Sequence, residues 1–337
     1  MRAAAFTDLT GPDGVAIVKQ QTPSPGPGEA RIDVDACSIN HHDLWILDGA
    51  SAMIDPTDLP FVSGLDVAGV VDAVGDGVTG VESGDRVVLC PNLTCGSCRF
   101  CREGPENLCA SYALYHGGLA EDARVEADRL IHLPDGVATT TAAALPTAYL
   151  TAYHMLRRAA LEPGDLLFVP GATGGVGVAA VQLADVMGVR SIGTSSAASK
   201  LESLTDLGAD HTIEGTDPDH LRDAVREVGT PDAVINHLGG AYTGLGLDVL
   251  RRGGRMVVCG RTAGPTSELD IGHLFRTHKR VIGSTMGTQA DLERLVGLVA
   301  DGDLDPRIDR AYPLDETADA FAAMRDRETL GKLVVTP

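Results

Sequence analysis

Residues 166–177 read LLFVPGATGGVG. Four apolar residues, Leu166, Leu167, Phe168 and Val169, run into a proline and then into Gly171, Gly174, Gly175 and Gly177. Beyond them Val176, Ala180, Leu183, Ala184 and Met187 recur at helical spacing. A strand, a tight turn and a helix start in this order form the context of a dinucleotide-binding turn. Glycine lets a pyrophosphate approach the backbone, and the helix start supplies free N–H groups and positive potential. The spacing is Ala172-x-Gly174-x-x-Gly177, with alanine where the first glycine is usual. The bland reading is a tight structural turn; the flanking strand and helix favour a cofactor. Gly171, Ala172, Thr173, Gly174, Gly175, Val176 and Gly177 are therefore the candidate cradle.

Strand-like runs at 166–170, 191–194, 233–238 and 256–260 alternate with helical patterns at 176–187, 200–207 and 245–251. That alternation predicts an α/β fold, a doubly wound parallel sheet. Residues 1–148 have a different texture: short apolar runs cut by turn residues, as in PSPGPG at 23–28 and VVDAVGDGVTGVESG at 70–84. Such a pattern predicts a β-rich domain. After residue 284 come a helix at 290–300, a second at 314–326 and a strand at 331–336, a tail expected to complete the first domain. The expected division is 1–148, with a cysteine lobe at 90–110, then 149–284, then 285–337.

The second strand of a dinucleotide fold normally ends on Asp or Glu when the cofactor is NAD, because the carboxylate binds the ribose 2′-hydroxyl. Here that end reads GTSSAASK, 193–200, and no carboxylate follows until Glu202. Hydroxyls and a lysine suit a 2′-phosphate, so NADP(H) is expected, with Thr194, Ser195, Ser196 and Lys200 around the ribose. The alternative is that Ser195, Ser196 and Lys200 only make a turn and a helix cap. Acids are abundant elsewhere: the chain of 337 residues carries 33 Asp and 14 Glu against 23 Arg and 4 Lys, for a net charge of −20. Such a surface makes nucleic acid and anionic membranes poor partners. Aspartate excess with almost no lysine also suits a cytoplasm at molar salt, where the Debye length falls to ~3 Å and self-repulsion is screened. An acidic protein from a GC-rich genome is the alternative. No apolar run approaches the ~18 residues of a membrane span, and the N-terminus lacks an apolar leader core, so a cytoplasmic location is expected.

Cys95, Cys98, Cys101 and Cys109 are spaced C-x2-C-x2-C-x7-C. Four thiolates in a short lobe suit one tetrahedral, structural zinc with no open position. An iron–sulfur cluster has no other redox motif to support it, and disulfides are disfavoured in a cytoplasmic chain. Cys90, five residues before the cluster, reads as a strand residue, and Cys37 and Cys259, in strand-like runs, read as buried spectators.

These features in this order resemble the medium-chain dehydrogenase/reductase superfamily, which holds zinc alcohol dehydrogenases and quinone oxidoreductases. The resemblance rests on Pro27-Gly28-Glu29, Gly64-x4-Gly69-Val70-Val71 with Val74-Gly75, Gly84-Asp85-Arg86-Val87, the cysteine lobe, the glycine turn and Gly331-Lys332-Leu333-Val334. It implies a GroES-like catalytic domain beside a Rossmann domain, an active site in the cleft, and a homodimer or homotetramer formed through the 280–285 run. Zinc alcohol dehydrogenases hold a second, catalytic zinc. Asn40, Leu65 and Thr147 stand where that resemblance places its Cys, His and Cys ligands, so this zinc is expected to be absent. Asn40 is similar to the zinc-independent, quinone-oxidoreductase-like branch, where it lies against the nicotinamide ribose. His41 then falls at the pyrophosphate, and His42 where the zinc enzymes carry a proton-relay hydroxyl. Asn40, His42 and Thr147 are the candidate catalytic residues. The resemblance also puts Thr151, Leu238, Cys259, Gly260, Ser284, Thr285 and Met286 along the cofactor. Trp45, Tyr149 and Asp66 are candidates either for lining the pocket or for packing. It implies reduction of an enone, quinone or aldehyde-like carbonyl by hydride from NADPH. The alternatives are an alcohol or sugar dehydrogenase with unusual ligands, drawn from His41, His42, Asp43 and Asp66, and a non-catalytic NADPH-binding structural or sensor protein.

Overall fold

The computed structural model describes every residue except Ala52, and the chain forms two compact units, residues 1–150 with 287–337 and residues 151–286. The second unit holds a six-stranded sheet. Its strands lie side by side in the order His211–Glu214, Arg190–Ser195, Leu166–Val169, Ala233–Asn236, Arg255–Val258 and Arg280–Gly283. Every neighbouring pair is parallel. The order reverses beside Leu166–Val169, which makes the end of that strand the switch point where such sheets bind ligands. Leu166–Val169 and Ala233–Asn236 are buried throughout, as strands covered on both faces must be. Phe168, Ile192, Val234 and Met256 from the sheet pack with Leu221, Val225 and Leu245 from the helices.

The strand His211–Glu214 and the helix Pro218–Val228 are absent from the expected pattern of elements. The strand is at the sheet's edge and only half-buried, so HTIE carries no apolar run. The helix is marked by local chemistry instead. Pro218 opens it, and the Asp217 carboxylate accepts from the His220 N–H.

The first unit is built on a seven-stranded sheet. Its path runs Ile308–Pro313, Lys332–Thr336, Glu29–Ser38, Asp66–Val74, Arg86–Leu89 and Leu130–His132, with Asp122–Glu126 also pairing on Glu29–Ser38. Ile308–Pro313 and Lys332–Thr336 are parallel; the other pairs are antiparallel. The central strand Glu29–Ser38 therefore has the chain's last strand on one side and Asp66–Val74 on the other. The register sets Ser38 opposite both Val334 and Asp66. Residues nearly 300 positions apart in sequence meet at this end of the sheet, because Lys332, Ser38 and Asp66 lie on three adjacent strands.

No helix among the described residues is long and apolar enough to cross a membrane.

Candidate active site

The four cysteines of the lobe converge. Their sulfurs lie within 4.8 Å of one another, with Cys98 Sγ 3.4 Å from Cys101 Sγ, Cys109 Sγ 3.6 Å from Cys95 Sγ and Cys95 Sγ 3.9 Å from Cys101 Sγ. A tetrahedron with Zn–S bonds of 2.3 Å needs sulfurs about 3.8 Å apart. The backbone N–H groups of Ser97 and Cys98 pull the Cys95 thiol down to about 6, whereas burial pushes Cys101 up to about 11. The set fits one zinc ion, which would hold the lobe and supply no chemistry to a substrate. Among the described residues no other group of His, Cys, Asp or Glu comes together closely enough to hold a metal, so His41, His42, Asp43 and Asp66 do not assemble into one.

In the second unit the glycine turn follows the switch-point strand. Gly171 adopts φ +68°, and Gly174 precedes the helix Gly175–Val186 in extended conformation. A Cβ on Gly177 would lie 2.6 Å from the Gly171 carbonyl oxygen and 2.7 Å from Ala172 Cα, both fixed backbone atoms. The turn fits a pyrophosphate on a helix N-terminus. Gly177→Val is expected to raise the dissociation constant of a nicotinamide dinucleotide by at least about tenfold, since the turn must open to admit the side chain; fluorescence titration measures it.

Two residues expected at the ribose are committed within their own segment. Thr194 Oγ1 accepts from the Gly171 N–H at 2.9 Å, and Ser195 Oγ accepts from the Ala197 N–H at 3.1 Å and faces the Ala197 carbonyl. They shape the turn; Ser196 is exposed and Lys200 half-buried at the strand's end. The parallel partner strand brings Glu214 level with Ser195. A linear search along one strand end does not see this neighbour.

The largest polar cluster lies in the first unit. Asn40 precedes the helix His41–Leu47, and its N–H donates to Asp43 Oδ2 at 2.8 Å. Asp66, fully buried, accepts from Ser38 Oγ at 2.7 Å, Asn40 Nδ2 at 2.9 Å and Thr147 Oγ1 at 2.5 Å. Lys332 Nζ, also buried, donates to Ile39 O at 2.9 Å, to Asn40 Oδ1 at 2.5 Å and to Asp66 at 3.3 Å. A lysine has three donors, and all three are used. Leu65, beside Asp66 in sequence, is fully buried.

Next to this cluster the rings of His42 and His116 stack, with centroids 5.3 Å apart and planes 23° from parallel. His116 Nδ1 lies 3.4 Å from Ser63 Oγ, whose hydroxyl donates to Asp43 Oδ1 at 2.5 Å. Burial lowers His116 to about 4, against the pull of Asp43 and with the push of His42. Burial, then Lys332 and Arg327, also lower His41.

Residues 26–135 match the family described as the alcohol dehydrogenase GroES-like domain, and residues 175–301 match the zinc-binding dehydrogenase family. An acryloyl-coenzyme A reductase of Metallosphaera sedula is 31% identical over 96% of this chain and 96% of its own length. The chain belongs to the medium-chain dehydrogenase/reductase superfamily. Solved structures agree. An NAD-dependent alcohol dehydrogenase superposes with a TM-score of 0.91 at 34% identity, covering 100% of both chains. A 2-octenoyl-CoA carboxylase reductase in complex with NADP and 2-octenoyl-CoA gives 0.90 at 26% identity, covering 99% of this chain and 87% of its own. The chain is thus an oxidoreductase of the medium-chain superfamily, with a GroES-like and a Rossmann-type part.

Within that superfamily frame, the structure brings Asn40 and Thr147 together on Asp66. Tyr149 is fully buried, and its hydroxyl accepts from the Arg307 N–H at 2.8 Å. Thr151 is buried, with its hydroxyl 3.7 Å from Met286 Sδ. Met286 sits at φ +49°, a left-handed conformation unusual for a side chain of its size. Ser284 Oγ is buried with no partner, Thr285 is exposed, and Leu238 lies against Gly171. Gly260 needs its φ of +77°, since a Cβ there would be 2.5 Å from the His237 carbonyl; burial pushes neighbouring Cys259 up to about 12, keeping it a thiol.

Sequence reasoning missed four members of these clusters: Ser38, Ser63, His116 and the role of Lys332. Lys332 was legible only as part of a family motif. His116 stands in a turn-rich stretch, YHGG, with no periodicity to single it out.

Proposed function

We propose that this protein is an NADP(H)-dependent reductase of conjugated carbonyl compounds that works without a catalytic zinc. The observation that carries the reading is the Lys332–Asp66 cluster. The three positions that ligate zinc in alcohol dehydrogenases carry an amide, an alkyl chain and a hydroxyl here. Asn40 and Thr147 are both spent on Asp66, and an ammonium stands 2.5 Å from the one oxygen Asn40 has to offer. That donor set does not fit a zinc ion, because the buried cation already neutralises Asp66.

Without a Lewis acid nothing lowers the pKa of a simple alcohol. A conjugated carbonyl is already polarised and needs only orientation, a dry site and a proton. The acryloyl-coenzyme A reductase and the 2-octenoyl-CoA enzyme among the relatives support substrates of that class. When bound, NADPH supplies the hydride. The glycine turn at 171–177 would receive the pyrophosphate; in the other unit Asn40 is held rigid by Asp66 and Lys332, and His42 offers a proton at an imidazole nitrogen. Support for the 2′-phosphate comes from Ser196 and Lys200; Glu214 counts against it.

The same proposal includes molar salt as the working medium. Asp33 faces Asp122 directly across an antiparallel pair, and burial with the nearby carboxylates of Asp122, Asp35 and Asp72 raises it. Like charges in that register destabilise unless screened, although Arg31 reaches both Asp72 and Asp122. A homo-oligomer is also proposed, because Arg280–Gly283 is the open edge of its sheet and Val281 is exposed.

The test is a substrate panel at high and low KCl with both nicotinamide cofactors, together with zinc analysis. Expected are one zinc per chain, turnover of an unsaturated ketone or thioester above that of simple aldehydes, and kcat/KM for NADPH at least about tenfold above NADH. Two zincs per chain, with activity lost on chelation and regained with zinc, would return the alcohol dehydrogenase reading. Tight NADPH binding without turnover would make the protein a binding module.

A further inference from the structure

We infer that His42 and His116 act as an acid–base dyad that carries one proton and delivers it from an imidazole Nε2 to the substrate oxygen, with Ser63 and Asp43 holding the His116 ring in register. The inference rests on the reductase reading above, in which His42 offers the proton, and adds to it the second ring and the groups that hold that ring. Nε2 of His42 and Nε2 of His116 are both buried, and both are without a hydrogen-bond partner. A buried ring nitrogen with no partner is a standing cost that a folded chain rarely keeps. Here two of them sit on rings that stack on one another, and a polar ligand atom reaching either nitrogen would complete its bonding.

The tautomer of His116 follows from its neighbours. Asp43 is fully buried, and its oxygens accept from Asn40 N at 2.8 Å, Gly64 N at 3.2 Å and Ser63 Oγ at 2.5 Å. With its hydrogen committed to Asp43, Ser63 Oγ can only accept from His116, so Nδ1 carries the hydrogen and Nε2 carries the lone pair. The loop bearing His116 is fixed to the same segment by its backbone. Gly117 N and Leu119 N both donate to the Ser63 carbonyl, at 3.3 and 3.0 Å, and Gly118 N donates to that of Gly64 at 3.0 Å. A Cβ on Gly118 would lie 2.4 Å from Val67 Cγ2 and 3.1 Å from Gly64 O, so glycine is what lets the two segments lie this close. The Phe61 ring centroid lies 5.1 Å from that of His116, tilted by 59°.

Charge limits the dyad to one proton. Among the described residues the charged or titratable neighbours acting on the His116 ring are Asp43, which favours protonation, and His42, which opposes it. One imidazolium on the dyad and one carboxylate on Asp43 leave the group neutral; two imidazolium rings at 5.3 Å do not. With NADPH bound, its hydride would form a C–H bond at the β-carbon of the substrate. The C=C pair moves toward the carbonyl, and the carbonyl π pair moves onto oxygen. That oxygen takes the proton from Nε2, giving an enol that ketonises, and solvent returns a proton to the dyad.

Two measurements test this. The first uses the wild-type protein and needs no substrate: imidazole nitrogen shifts followed by NMR from pH 8 to pH 4. One protonation step shared by the His42 and His116 rings, with Nδ1–H on neutral His116, is expected. Two independent protonation steps, or an Nε2–H tautomer on His116, would overturn the dyad whatever the enzyme's substrate is. The second is kinetic. His116→Phe keeps an aromatic ring against His42 and Phe61 but removes both nitrogens. It is expected to lower kcat about 10²-fold or more, with NADPH affinity within twofold. Ser63→Ala is expected to move the limb of the kcat profile that needs the protonated form to lower pH, an effect that loss of packing alone does not produce. If His116→Phe keeps kcat within threefold and Ser63→Ala leaves the profile in place, the dyad is wrong. If the wild type turns over no conjugated carbonyl while the NMR result holds, the reductase reading fails and the dyad stands.

Discussion

Lys332→Met is expected to destabilise the protein by about 3–5 kcal/mol, the cost of leaving one member of a buried ion pair without its partner. Methionine keeps most of the volume of the lysine stem, so cavity formation contributes little. What is lost is specific: the counter-charge to a fully buried Asp66, the donor to Asn40 Oδ1, and the donor to the Ile39 carbonyl. Asp66→Asn alone is expected to cost a similar amount, because it strands a buried ammonium. The double variant removes both charges, and the pair is expected to recover a large part of the summed loss. Urea denaturation of the four proteins gives the coupling energy. A coupling below about 1 kcal/mol would mean that the pair behaves like an exposed one, and the account of this cluster as a replacement for a metal centre would lose its basis. Zinc content is expected to stay at one per chain in all four.

That cluster also shows where sequence reading stops. The glycine turn was legible because its chemistry is local: strand, glycines and helix follow one another within about 20 residues, and each reports on its neighbours. The cysteine lobe was legible for the same reason, since 15 residues carry all four ligands. Asn40 and Thr147 were legible as departures from a resemblance, which said what was missing but not what had taken its place. The answer lay at Lys332, on the far side of the chain. It reaches Asn40 because the last strand pairs with Glu29–Ser38, and no periodicity announces that pairing. The NADP(H) reading shows the opposite weakness. The carboxylate-free end of Arg190–Ser195 is a property of one strand, whereas the ribose would meet a sheet edge to which His211–Glu214 also contributes. His116 was invisible because its partner Ser63 is 53 residues away and joined through a hydroxyl rather than a motif.

Cys101→Ser is expected to reduce bound zinc from one per chain to nearly none, and to lower the melting temperature by on the order of 10 °C, equivalent to about 4 kcal/mol for a domain of this size. The effect is expected to reach further than the lobe. Tyr112 donates to Asn92 Oδ1 at 2.7 Å, and Asn92 Nδ2 in turn donates to the Gly287 carbonyl at 2.8 Å. Glu106 accepts from the Gln289 N–H at 2.7 Å, at the first turn of the helix Gln289–Ala300. The lobe therefore pins the chain just after Met286, the residue held in a left-handed conformation. Without the metal nothing bridges the four sulfurs, which lie 3.4–3.9 Å apart, and the pins at residues 287–289 loosen with the lobe. Zinc removal by a chelator is thus expected to raise the dissociation constant for NADPH as well as to lower stability, and to do so in wild type but not in Cys101→Ser, where the loss has already occurred. Unchanged cofactor affinity after complete zinc removal would show that the lobe is an independent ornament of the fold rather than a brace for the segment that follows Met286.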